Sequence, residues 1–180
     1  MKSPHLFIDE SIRGRTYLLG VAVIPVNRLA AARTLLRALC LPGERRVHFQ
    51  AESNTRRRAL ISHLVAAGIT ADLYLAHGPA GQARAACVRA MAVDACKRGA
   101  HRIAIESRGE AGDRADRLTI SSTLRAIGVG AFDGPFYEHV QSHEDPLLGI
   151  ADATAWAYGA GGDWRRRIRG VLDQVIQVES

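Results

Sequence analysis

The sequence contains little cysteine: 3 residues among 180, at Cys40, Cys87 and Cys96. No CxxC spacing occurs, and Cys87 and Cys96 would face roughly opposite sides of one predicted helix. The cysteine pattern therefore excludes a disulfide framework and a cysteine-based zinc site. It predicts small, buried thiols in a reducing compartment.

Long apolar runs are also missing. No stretch of about 18 consecutive apolar residues occurs, which argues against a membrane-spanning helix. Residues 1–5 lead into an apolar strand without a signal-like segment. We therefore expect a soluble, cytoplasmic protein with no membrane partner. The hydrophobic fraction of 47% is enough for a sizeable core in a single domain spanning residues 1–180.

Acidic residues are fewer than basic ones: 18 Asp and Glu against 24 Lys and Arg give a net charge of +6. Arginine side chains form bidentate contacts with phosphate oxygens, so this surplus favours an anionic partner, most commonly nucleic acid. A basic surface without a partner is the alternative. Two arginine runs are the predicted nucleic-acid-binding residues: Arg56, Arg57 and Arg58, and Arg165 and Arg166.

Turn and capping signals divide the chain into strands and helices. They predict strands at residues 5–11, 17–24, 69–76, 101–106 and 136–140, and helices at 29–39, 56–67, 81–98, 113–127, 146–158 and 163–173. Residues 175–178 are a candidate β-like tail. This order predicts an α/β fold: a central mixed sheet of about five strands flanked by helices, with a C-terminal helical extension from about residue 163.

Three acidic residues interrupt segments that are otherwise apolar. Asp9 and Glu106 each end an apolar predicted strand, and Asp152 is the only charged residue in positions 146–162. Functional side chains gather at strand ends, and a buried, unpaired carboxylate is costly. The three acids therefore predict a shared site. Solvated strand ends and a structural salt bridge are the alternatives.

Carboxylate oxygens are preferred ligands of Mg²⁺ and Mn²⁺, so Asp9, Glu106 and Asp152 are the predicted metal ligands and catalytic residues. Two such ions ~4 Å apart can activate a water molecule and stabilise the leaving oxygen of a phosphodiester. His48 is a further catalytic candidate, which would shuttle a proton or bind phosphate; a histidine at the edge of the core is the alternative.

Two further acids are secondary candidates for the site. Glu10 follows Asp9 directly and would point to the opposite face of the strand, where it would support the site indirectly or be structural. Asp113 would either supply a further ligand or cap a helix.

These residues resemble the pattern of the ribonuclease H-like superfamily and, within it, the family called domain of unknown function 3800. That family typically opens on a strand ending in Asp-Glu-Ser, which residues 7–11 match as Phe-Ile-Asp-Glu-Ser. It tends to carry a His or Lys after the first helix, as at His48. A late strand ending in an acid matches Glu106, and its closing segment before an apolar helix matches residues 142–153.

The resemblance covers roughly residues 5–160, with two departures: Ile12 and Gly149 replace the usual Gly and Gln. Neither departure removes a carboxylate. The resemblance implies a ribonuclease H-like fold and a nuclease that uses Mg²⁺ or Mn²⁺ on RNA or DNA. A non-catalytic module that binds nucleic acid or protein is the alternative, as is a component of a toxin or mobile-element system. The complete set of three acids favours catalysis.

Overall fold

The computed structural model describes residues 3–130 and 133–179. Its strands are β1 Pro4–Arg13, β2 Thr16–Pro25, β3 Thr70–His77, β4 Arg102–Glu106, β5 Phe136–Val140 and β6 Leu172–Val178. Its α-helices are α1 Leu29–Leu39, α2 Asn54–Ala66, α3 Ala80–Lys97, α4 Glu110–Ala126, α5 Leu148–Ala160 and α6 Gly162–Ile168. Short 3₁₀ turns occupy Val26–Arg28 and Phe49–Ala51. None of the helices in these two ranges is long and apolar enough to cross a membrane.

The strands form one mixed sheet in the order β5-β4-β1-β2-β3-β6. Strand β2 runs antiparallel to both of its neighbours, whereas the pairs β1–β4, β4–β5 and β3–β6 are parallel. Strand β1 is therefore central, and its carboxyl end lies beside the carboxyl end of β4.

A hydrophobic core lies on each face of the sheet, because successive side chains of a strand point to opposite faces. On β1, Phe7 packs into the core beneath α1, α2, α5 and α6. Its neighbours Leu6 and Ile8 pack into the core beneath α3 and α4. Residues Asp9 and Glu10 continue this alternation, so each belongs to a different face.

The predicted α/β class and mixed sheet are confirmed, but the predicted number of strands is wrong. The sheet has six strands rather than about five, because residues 172–178 pair in parallel with β3. The last helix ends at Ile168 rather than at residue 173. Gly170 disfavours helix there, and the β-branched residues that follow suit a strand.

Candidate active site

Three carboxylates from different elements meet at the carboxyl end of β1. Asp9 lies near the end of β1, Glu106 ends the parallel neighbour β4, and Asp152 lies on α5, which packs across β1 and β2. Asp9 lies close enough to Glu106 and Asp152 for both carboxyl groups to raise its pKa. We call Asp9, Glu106 and Asp152 the acid cluster.

A glycine on β2 allows α5 to approach this end of the sheet. Gly20 is the cross-strand partner of Asp9. A Cβ atom at position 20 would lie only 2.4 Å from the carbonyl oxygen of Ala151. The backbone of α5 therefore rests directly on β2 at this point, and the next residue of the helix is Asp152. The missing side chain of Gly20 thus sets how closely Asp152 approaches Asp9.

The surroundings of Asp9 and Asp152 oppose ionisation of these two acids. Burial raises the pKa of Asp9 to about 9, together with the hydrogen bond to Glu106 and the charges of Asp152 and Glu106. Burial also raises the pKa of Asp152, although the backbone N–H of Phe49 and the charge of Arg46 act in the opposite direction. Carboxylates held close together repel each other when ionised, and a bound cation relieves that repulsion.

Arg46 provides a positive charge inside the cluster, and the sequence analysis did not assign it to the site. Its guanidinium Nη1 lies 2.8 Å from Glu106 Oε2 and 4.0 Å from Asp9 Oδ2. The residue is only 8% exposed. The only sequence signal for Arg46 was its closeness in the chain to the predicted site residue His48.

His48 lies at the solvent side of the cluster. Its Nδ1 is 3.8 Å from Asp152 Oδ2, and its side chain is 59% exposed. The backbone N–H of Phe49 donates a hydrogen bond of 2.9 Å to the same Asp152 oxygen. Because Val47 and Phe49 are buried on either side of it, His48 is held beside Asp152 with its imidazole in contact with water.

A cleft of about 320 Å³ leads away from Asp152. Trp156, one turn along α5, forms part of its wall, and the guanidinium of Arg57 lies 4.1 Å from the centre of that indole ring. The guanidinium of Arg13 lies 5.2 Å from the same centre. The complete lining is Glu10, Ser11, Ile12, Arg13, Gln50, Asp152 and Trp156. The cleft therefore combines an acidic end with arginines and an aromatic ring.

Glu10 faces the other side of the sheet, as predicted, and takes part in a second charged group. Its Oε2 accepts a hydrogen bond of 2.7 Å from Arg84 of α3. Arg84 also holds both oxygens of Asp116, at 2.8 and 2.6 Å. His139 Nε2 lies 3.2 Å from Asp116 Oδ2. We call Glu10, Arg84, Asp116 and His139 the ion-pair cluster.

Asp113 lies beside the ion-pair cluster. Helix α4 begins at Glu110, so Asp113 lies within its first turn and is not the capping residue predicted for it. Its carboxylate accepts hydrogen bonds from the Ser107 hydroxyl, at 2.6 Å, and from the Arg108 backbone N–H, at 3.0 Å. These bonds lower the pKa of Asp113 against the effect of its burial, and they fix the turn that follows β4.

The two arginine runs occupy different places. Arg57 covers Trp156 at the cleft and also donates to the backbone carbonyl oxygens of Phe49 and Gln50. Arg56 pairs with Glu52, and the guanidinium of Arg58 lies over the Trp164 ring.

The second run lies elsewhere. Arg165 and Arg166 line a separate pocket of about 440 Å³ beside β6. Of the two runs, only the first reaches the cleft wall, through the contact of Arg57 with Trp156.

The acid cluster has the donor chemistry that Mg²⁺ and Mn²⁺ prefer, since all three side chains are carboxylates. Within residues 3–130 and 133–179, however, no three His, Cys, Asp or Glu side chains are arranged as a group ready to hold a metal ion. Arg46 forms an ion pair with Glu106 and lies 4.0 Å from Asp9. The chemistry of the donors matches the predicted metals, but their arrangement does not form a ready metal group, and Arg46 is paired with one of them.

No family model matches the chain, and no curated protein matches it.

Proposed function

We propose that this chain is a metal-dependent nuclease with a ribonuclease H-like fold, and that Asp9, Glu106 and Asp152 hold Mg²⁺ or Mn²⁺. The observation that carries the proposal is the convergence of these three carboxylates from β1, β4 and α5. The mixed sheet flanked by helices agrees with the fold that the family resemblance implies. When bound, the metal would supply an activated water and neutralise charge on the phosphodiester.

The other residues have roles that follow from their positions. The exposed imidazole of His48, held beside Asp152, is placed to exchange a proton with solvent near the acids. Arg13 lines the cleft beside Trp156, where its guanidinium would bind a backbone phosphate and the indole would contact a base. Arg57 covers the same indole and holds it in place. RNA and DNA are both candidate substrates.

A non-catalytic module that binds nucleic acid is the second candidate. The observation that favours it is the ion pair between Arg46 and Glu106, which satisfies one of the three acids without metal. A binding module would retain the basic cleft and its salt-dependent affinity but would not need divalent ions.

The test is cleavage of mixed RNA and DNA substrates with Mn²⁺ or Mg²⁺. We expect wild type to cleave one of them, and the Asp9→Asn, Glu106→Gln and Asp152→Asn variants to lose at least 100-fold in rate. Glu110→Gln is the matched control, because this exposed carboxylate lies four positions after Glu106 and outside the cluster. It should cleave as wild type does.

Metal-independent binding without cleavage would replace the nuclease with the binding module. Cleavage that persists equally in all three acid variants would indicate another site or a contaminating enzyme, and would end the proposal.

A further inference from the structure

Arg46 is the only cationic side chain that the described residues place within 4.0 Å of Glu106 or Asp9. It lies in residues 40–48, which join α1 to the 3₁₀ turn Phe49–Ala51 and contain no helix or strand. Most of this segment is exposed, but Arg46 and Val47 are buried. A buried guanidinium is unusual unless it is paired, and here its pairing partner is the acid cluster.

We propose that Arg46 is a built-in counter-ion of the acid cluster, and that a divalent metal ion binds only by displacing its guanidinium from Glu106. This inference rests on the proposed function, because it assumes that the acid cluster is the metal site. It adds a step of exchange: the metal-free protein keeps its acids together with an arginine, and the metal-bound protein releases that arginine.

Charge requires the exchange. A guanidinium 2.8 Å from Glu106 and 4.0 Å from Asp9 uses the oxygens that an ion would take. If both stayed, the arginine and the ion would repel each other strongly, because like charges are poorly screened in a partly buried site. The ion is doubly charged, so the guanidinium leaves.

The segment around Arg46 allows the side chain to move without unfolding the site. Val47 is only 2% exposed, and its carbonyl oxygen lies against α5 at Gly149, where an added Cβ would approach to 3.2 Å. The backbone is therefore anchored at position 47. The arginine side chain is long and has several rotatable bonds, so it can swing to solvent about this anchor, where its exposed neighbour His48 already lies.

The exchange sets the metal affinity. Binding must break the ion pair with Glu106, so the affinity of wild type is lower than that of a site without Arg46. Arg46→Gln keeps a long polar side chain but removes the charge. We expect it to bind Mn²⁺ at least 10-fold more tightly than wild type, by calorimetry with Mn²⁺ alone at pH 8.

Two variants control the titration. Arg45→Gln removes the same charge from the adjacent, exposed position and should leave the Mn²⁺ affinity within about 2-fold of wild type. Asp9→Asn should abolish binding both alone and combined with Arg46→Gln. Equal or weaker Mn²⁺ binding by Arg46→Gln would overturn the exchange while leaving the nuclease proposal intact. No Mn²⁺ binding by either wild type or Arg46→Gln would overturn both.

A second measurement uses wild type and does not depend on the folding of Arg46→Gln. Nitrogen-15 labelled arginine gives side-chain NMR signals, and Arg46→Lys identifies the one from Arg46 by its absence. We expect Mg²⁺ to shift that signal towards the position of solvent-exposed arginines and to speed its hydrogen exchange. An Arg46 signal that stays unchanged while Mg²⁺ binds would overturn the inference.

Discussion

Asp9 and Glu10 are consecutive residues of β1, yet the groups they join differ in charge balance. On one face, Asp9 shares the acid cluster with two further carboxylates and one arginine. On the other face, Glu10 and Asp116 both pair with Arg84. The guanidinium of Arg108 lies 3.5 Å from the other carboxylate oxygen of Glu10. In the first group three acids face one arginine, whereas in the second group positive charges match the acids.

The two groups shift the pKa values of their buried acids in opposite directions. Pairing with Arg84 and His139 lowers the pKa of Asp116 to about 2 although the residue is buried. The pKa of Asp9 is instead raised to about 9. The ion-pair cluster therefore stabilises the fold, whereas the acid cluster disfavours the charged form of Asp9. A strongly shifted pKa of this kind is more typical of functional sites than of structural contacts.

The largest expected effect is loss of the central arginine of the ion-pair cluster. Arg84→Met leaves Asp116 and Glu10 without their shared partner, and we expect it to lower the free energy of unfolding by about 3–5 kcal/mol. Denaturant titration measures the change. Arg89→Met, at an exposed position on the same helix, should change it by less than about 0.5 kcal/mol. A loss below about 1 kcal/mol for Arg84→Met would show that this cluster is not structural.

Gly20→Ala should disturb the acid cluster specifically. The new Cβ would clash with the backbone of α5 at Ala151, and overpacking of this kind costs about 1–3 kcal/mol. It should also weaken Mn²⁺ binding, because the helix carrying Asp152 must move away. Gly81→Ala is the control: a Cβ there meets nothing within 4 Å, so stability should be unchanged or slightly higher. Unaltered Mn²⁺ binding by Gly20→Ala would contradict the role of this contact.

Asp116→Asn should destabilise the protein near neutral pH by about 2 kcal/mol. The folded-state pKa is lowered, so the stabilisation is present above the unfolded value near 4 and is lost as pH falls towards 2. The groups that produce it are Arg84 on α3, His139 on β5 and Arg108 after β4. Unfolding curves of wild type and variant should therefore converge at pH 2–3. A difference that persists unchanged at low pH would mean that the charge is not responsible.

Asp9→Asn should change stability in the opposite direction and raise the free energy of unfolding. The folded-state pKa of Asp9 is raised, so its contribution is fully favourable below about pH 4 and is lost as pH rises towards 9. Asparagine does not ionise, so it avoids the cost of a buried charge at high pH. We expect the free energy of unfolding of the metal-free variant to exceed that of wild type by about 1.4 kcal/mol or more at pH 8 and to equal it at pH 4. Thermal unfolding with chelator measures this. A large loss of stability at pH 8 would mean that Asp9 forms a structural ion pair.

The smallest effect concerns the arginines around the cleft. Arg13→Gln should weaken nucleic-acid binding about 3- to 10-fold and reduce the slope of log affinity against log salt by about 1. Arg117→Gln removes an exposed arginine from α4, on the face of the ion-pair cluster, and should change neither quantity. Equal effects of the two variants would show that nucleic acid binds both faces without preference.

The acids of the site could be predicted from the sequence, but their cationic partners were not. Asp9, Glu106 and Asp152 stood out because each interrupts an apolar segment. Arg84 carries a similar signal, since Ala83, Ala86, Cys87 and Val88 surround it in sequence, and the same criterion would have found it.

Arg46 and the sixth strand are harder to predict. Arg46 sits in a segment without periodicity, and only the tertiary fold brings it to Glu106. Strand β6 follows a helix-like run of arginines, and its pairing with β3 depends on residues about a hundred positions earlier in the chain. Local pattern gives the class of the fold and the acids, whereas partners separated widely in sequence require the three-dimensional arrangement.

The contact at Gly20 also restricts which residues can occupy positions 20 and 9 during evolution. Because the side chain missing at position 20 lets α5 bring Asp152 to Asp9, a lineage that uses the acids cannot accept a larger residue there without moving the helix. A descendant that no longer uses the acids loses that restriction, and either position can then drift. Glycine at position 20 together with aspartate at position 9 would therefore mark the descendants that still use the acids.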